Sequence, residues 1–186
     1  GDNTAQQLGR ISLNPIRHID PLGTIAMPLL LYFATSGAFL FGYAKPVPID
    51  FGKLRNPKKQ MAWVAFAGPM SNFIMAFGWS IFALLMSAFG VAEAFPYKVA
   101  QAGVFVNILM FVFNMLPIPP LDGGRIMTSI LPHKLAYKYA RLEPYGLFIV
   151  IGLLVFKLMD YWFMPMGALT GKLLSLFVAP FRLLLG

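Results

Sequence analysis

Residues 62–90 read AWVAFAGPMSNFIMAFGWSIFALLMSAFG and contain no Asp, Glu, Lys or Arg. A helix needs about 20 predominantly apolar residues to cross the hydrocarbon core of a bilayer, so this run predicts a membrane span. Residues 22–44 and 99–121 are equally free of charge, and residues 144–164 carry only Lys157 and Asp160. That pair, three positions apart, is expected to neutralise itself or to lie near an interface. The remaining tail, residues 167–186, is shorter and holds Gly171 and Pro180, which suits an interfacial or re-entrant helix. In residues 22–44, Pro28, Ser36 and Gly37 leave a re-entrant segment open beside a full span.

Composition agrees with a membrane origin. The chain is 58% hydrophobic and 12% charged, with a mean hydropathy of +0.69, whereas a soluble domain is about 45–50% apolar and roughly 25% charged. The net charge of +8 would suit nucleic acid, but its distribution argues against that partner. Residues 45–61 hold Lys45, Lys53, Arg55, Lys58 and Lys59 against Asp50, and residues 125–143 hold Arg125, Lys134, Lys138 and Arg141 against Glu143. Both segments should face the cytoplasm, while residues 91–98, with Glu93 balancing Lys98, should lie on the opposite side. The aromatic run Tyr161, Trp162, Phe163 fits an interfacial belt or a lipid-facing surface. Absence of cysteine excludes disulfides, thiolate zinc ligands and thiol catalysis, so a metal would have to be held by His, Asp or Glu.

The expected architecture is therefore an all-α membrane protein, a multi-pass helical bundle forming a single membrane-embedded domain over residues 1–186. Short strands or loops are expected to flank it, at residues 9–15 and 46–50.

Two stretches carry chemistry. In residues 114–125, NMLPIPPLDGGR, three prolines remove backbone donors and end a helix beside an apolar span. Irregular backbone at that depth is tolerated only inside protein or beside a watery cavity. Asp122 ends the break, and an ionisable group so placed is expensive unless it functions. The glycines after it permit close backbone approach. The alternative is that Asp122 caps a helix starting near Gly123. In the second stretch, Gly68 and Asn72 are one helical turn apart on one face, a small residue for close packing and an amide for hydrogen bonding. Ordinary helix packing is the alternative there, although packing does not call for Pro69.

Together these stretches resemble the site-2 protease family of intramembrane zinc metalloproteases. Gly68-Pro69 through Asn72 matches its Gly-Pro-x-x-Asn helix, and Asn114 through Arg125 matches its Asn-x-x-Pro-x-Pro-x-Leu-Asp-Gly-Gly-Arg segment. Gly1-Asp2, Thr4-Ala5, Leu13-Asn14-Pro15, His18-Ile19-Asp20-Pro21, Gly23 and Ala44 to Pro48 are similar to its small bacterial branch. The resemblance runs from Gly1 to about Leu131. It implies Zn2+ as cofactor, Asp122 as the third zinc ligand, and Asn72 and Asn114 as polar residues of the cleft that hold the substrate backbone or oxyanion. It also implies a transmembrane protein as substrate, cut within or near the bilayer, and a multi-pass location in a bacterial plasma membrane.

The family's His-Glu-x-x-His helix, the source of two zinc ligands and the general base, is absent; only His18 and His133 occur. That helix is expected just before Gly1, and the chain without it is expected to be inactive. A non-catalytic scaffold or a small transporter, for which an Asp in a broken helix would serve an ion path, is the alternative. For His18 a structural hydrogen bond to Asp20 is expected, and for His133 a place at headgroup level.

Overall fold

A computed structural model describes residues 2–12, 14–34, 36–37, 42, 45 and 53–185. The chain falls into two compact units, Gly1–Pro57 and Lys58–Gly186. No strand occurs among the described residues. Residues 9–12 and 14 are irregular or turn, because local side-chain bonds take the place of a ladder: the Ser12 hydroxyl accepts from the Asn14 amide (3.1 Å) and the Asn14 side chain from the Ile16 amide (3.1 Å). The expected strand at residues 46–50 lies outside the described residues.

The first unit holds helix α1 (Thr4–Gln7), a 3-10 turn (Pro15–His18), a π-helix (Pro21–Ala26) and helix α2 (Met27–Ala34). Asp20 starts the π-helix by accepting from the amides of Leu22 (3.0 Å) and Gly23 (2.8 Å), which satisfies donors that a helix start leaves unpaired. His18 therefore has a different partner from the one expected: its Nε2 lies 2.9 Å from the Ser12 carbonyl oxygen. The π-helix of 6 residues and α2 of 8 are together too short to cross a bilayer. Ser36 and Gly37, both at positive φ, close α2, with the Gly37 amide returning to the Tyr32 carbonyl at 2.8 Å.

The second unit is built on α3 (Pro57–Ala88), α4 (Ala94–Asn114) and α8 (Asp160–Leu185), the three helices long and apolar enough to span a membrane among the described residues. Between α4 and α8 come the short helices α5 (Asp122–Ile130), α6 (His133–Ala140) and α7 (Gly146–Val155). Phe73 of α3 packs on Phe177 of α8 with ring centroids 5.9 Å apart, and Phe77 on Phe181 at 5.7 Å, so the two helices run parallel. The Trp162 indole donates to the Val112 carbonyl at 2.9 Å. The N-terminal end of α8 thus meets the C-terminal end of α4, and these two helices are antiparallel. Ala76, Leu174 and Val178 form the core, with Phe73, Val104 and Ile108 against them.

The C-terminal region differs from the sequence reading. Residues 144–164 do not form one span, and residues 167–186 are not a short broken tail. Lys157 adopts φ 55°, a left-handed conformation uncommon outside glycine, and the amide of Leu158 turns back to the Leu153 carbonyl at 2.8 Å. That turn ends α7 after 10 residues and gives residues 160–166 to α8, which reaches 26 residues. Pro165 and Pro180 both lie inside it. Because Lys157 sits in the turn, it forms no ion pair with Asp160. Trp162 and Phe163 pack with Leu116, Val150 and Met159, so of the aromatic run only Tyr161, 81% exposed, matches the expected outward-facing belt.

Candidate metal-ligand site

The α3 segment around Gly68 is helical despite Pro69, whose missing N–H deprives the Ala65 carbonyl of its partner in the ladder. Pro69 and Ala65 are both buried, and the Ser71 hydroxyl donates to the Gly68 carbonyl at 2.6 Å. A Cβ built on Gly68 would stand 2.9 Å from Oδ2 of Asp122, closer than side chains tolerate, so the carboxylate rests directly on the α3 backbone. The two motifs, 54 positions apart in the sequence, meet at this contact.

Asp122 is the first residue of α5, Leu121 holds the N-cap position, and no side-chain cap bond is present. Asp122 accordingly does not cap the helix, although its charge suits the positive end of the helix dipole. The carboxylate accepts no hydrogen bond among the described residues.

The proline-interrupted turn holds Asp122 in place through backbone packing. A Cβ on Gly123 would collide with the Met115 carbonyl oxygen, one on Gly124 with the Pro119 nitrogen, and one on Gly146 with the Pro119 carbonyl oxygen. Those three glycines are buried; any side chain would push the loop away. Inside the turn, the Leu121 amide returns to the Ile118 carbonyl at 2.9 Å. Two further anchors come from α6 and α3. The Tyr139 hydroxyl donates to the Pro117 carbonyl, and burial pushes this phenol above its ordinary range, keeping it a donor. The Lys58 ammonium donates to the carbonyl of Leu131, just past the end of α5. With Asp122 at Gly68 and Leu131 at Lys58, α5 points back towards the start of α3.

Gly68 lies 11 residues beyond Pro57, where α3 begins, which at the helical rise is about 16 Å. Asp122 therefore meets α3 well inside its length. Asn114, the last residue of α4, is half-buried and precedes Met115, whose carbonyl touches Gly123; it stands in the same neighbourhood as Asp122. Asn72 is one turn beyond Gly68 on α3, half-buried, and its amide forms no hydrogen bond among the described residues. His133 opens α6 and is exposed. The sequence reading did not single out Tyr139 or Gly146 and took Trp162 for part of an interfacial belt; each acts through a partner 22 to 50 positions away, and no local pattern marks that contact.

Asp122 has the chemistry of a zinc ligand, an oxygen donor compatible with tetrahedral coordination. The set is incomplete, however: no group of three or more His, Cys, Asp or Glu side chains able to hold a metal occurs among the described residues.

The family model described as peptidase family M50 matches residues 91–156, which include the proline turn and Asp122. The chain is 37% identical over 191 residues to YwhC of Bacillus subtilis, named as a candidate zinc metalloprotease, covering 100% of this chain and 83% of that protein. It is 28% identical to Rip2 of Mycolicibacterium smegmatis, similarly named, over 88% of this chain and 60% of Rip2. It is also 32% identical to the zinc metalloprotease MJ0392 of Methanocaldococcus jannaschii over 44% of this chain and 23% of that one. No solved structure matches the chain significantly. With three helices long enough to span a bilayer and a full-length relative of this kind, the chain is an integral membrane protein that belongs to peptidase family M50, the site-2 protease family of zinc metalloproteases.

Proposed function

We propose that the protein is an intramembrane endopeptidase of a bacterial plasma membrane, cleaving a transmembrane or membrane-proximal segment of another protein. The observation that supports this most is the unbonded Asp122 carboxylate lying on the bare backbone of Gly68, well inside a spanning helix. An ionisable group at such depth is costly unless it has a charged partner. In this reading Asp122 is the residue of this chain that binds zinc, and the other donors lie outside the described residues. Zinc, when bound, supplies a Lewis acid and an activated water. Asn72 and Asn114 then hold the substrate: their amides donate to the backbone carbonyls of an unwound segment and to the oxyanion that forms during attack. The irregular backbone of residues 115–121 borders the cleft, and the bilayer supplies the substrate laterally.

The test is proteolysis of a transmembrane reporter by the full-length protein in liposomes. Asp122→Ala should abolish cleavage, and Asn72→Ala should lower turnover about 10²–10³-fold with reporter binding retained. Unchanged cleavage by Asp122→Ala would overturn the proposal.

A further inference from the structure

At the end of the bundle away from Asp122, α3, α4 and α8 leave between them an open-sided groove of about 540 Å³, within the range of about 300–1,000 Å³ usual for ligand sites. Its walls are mainly apolar, including Leu84, Val104, Ile108 and Leu174. The space exists partly because Gly171 faces it: a Cβ there would meet nothing within 4 Å. Three of the four polar side chains in the lining come one from each helix, Ser80, Gln101 and Arg182, and Ser175 is the fourth. The hydroxyl protons of Ser80 and Ser175 are already donated to the Ala76 and Lys172 carbonyls, at 2.9 and 2.7 Å. What remains to donate is the Gln101 amide and the Arg182 guanidinium, and neither is hydrogen-bonded or ion-paired among the described residues. No acidic residue lines the groove.

An arginine three residues from the end of a spanning helix would ordinarily extend along apolar surface to the headgroups. Here it borders a cavity whose other walls suit hydrocarbon. An occupant must therefore combine an apolar body with an anionic, acceptor-rich head, and it must be present in the bilayer beside these helices. We infer that this groove is a binding site for an anionic glycerophospholipid, with an acyl chain along α3, α4 and α8 and the headgroup phosphate held by Arg182 and Gln101. Guanidinium recognises phosphate through paired, charge-assisted hydrogen bonds, which gives a preference for lipids carrying net negative charge over zwitterionic ones. This site is separate from the Asp122 region and does not depend on the proteolytic reading.

Native mass spectrometry of the full-length protein released from nanodiscs containing equal phosphatidylglycerol and phosphatidylcholine tests it. Wild type should retain a phosphatidylglycerol molecule with a preference of roughly tenfold or more. Arg182→Gln should erase the preference, and Gly171→Leu, which fills space that the fold leaves open, should remove the bound lipid while the thermal transition stays in place. Equal retention of the two lipids, or retention unaffected by both variants, would overturn the inference. So would a photoreactive group at position 104 that labels a polypeptide helix instead of lipid.

Discussion

At Gly68 a single hydrogen atom leaves the room that the Asp122 carboxylate occupies. Replacing it by Val puts a branched side chain where Oδ2 of Asp122 lies 2.9 Å from the Cβ position, and Asp122 must move. Gly68→Val should leave the protein inserted in the membrane yet reduce proteolysis by about 10²-fold, the usual cost of displacing a reacting group by about 1 Å; activity per inserted molecule is the measurement. Tyr139→Phe removes the donor to a loop carbonyl and should cost about 1 kcal/mol of stability, read from denaturant unfolding in detergent. Asp122 stood out in the sequence because its motif is local and its type unusual beside an apolar run, whereas Asn72 and Asn114 were named through the family resemblance. Tyr139 and Trp162 did not stand out, since a tyrosine or tryptophan near a membrane helix reads equally well as an interfacial anchor; only the chain's return over 22 and 50 positions gives each hydroxyl or indole a buried carbonyl to meet. His18 misled in the other direction. Asp20 is close in sequence, but its carboxylate is already engaged by the Leu22 and Gly23 amides.

Among the elements, the proline turn and α5 behave as one piece clamped by glycines. Gly146→Ala would drive a methyl group into the Pro119 carbonyl. Backbone atoms cannot swing aside as side-chain ends do, so overpacking should cost about 1–3 kcal/mol or more and lower the midpoint of thermal unfolding; wild-type stability would show that α7 does not press on the turn. The spans α3 and α4 could be read from charge-free length alone, together with the charge balance of the loops. The division of α7 from α8 could not, because it rests on Lys157 taking a left-handed conformation that no residue type nearby announces. Gly171 and Pro180 pointed to a broken tail, yet helices packed on neighbours tolerate both, and Phe177 and Phe181 lock that part of α8 to α3.

For the whole molecule, the antiparallel order of α3 and α4 predicts sidedness. The chain has no cysteine, so single-cysteine labelling has no background: cysteine at Lys59 or Lys134 should react with an impermeant reagent from the cytoplasmic face, and cysteine at Glu93 from the opposite one. Labelling of Lys134 and Glu93 positions from the same side would contradict the arrangement. In the proposed reading Asp122 is the one zinc donor among the described residues, so residues 1–186 alone should hydrolyse no peptide in the presence of zinc. The most direct measurement is the zinc content of the purified full-length protein beside its Asp122→Asn variant, with Asp160→Asn as control. About one zinc per molecule in wild type and control, strongly depleted in Asp122→Asn at unchanged folding, is the predicted result; equal zinc in all three would contradict a role for Asp122 as ligand.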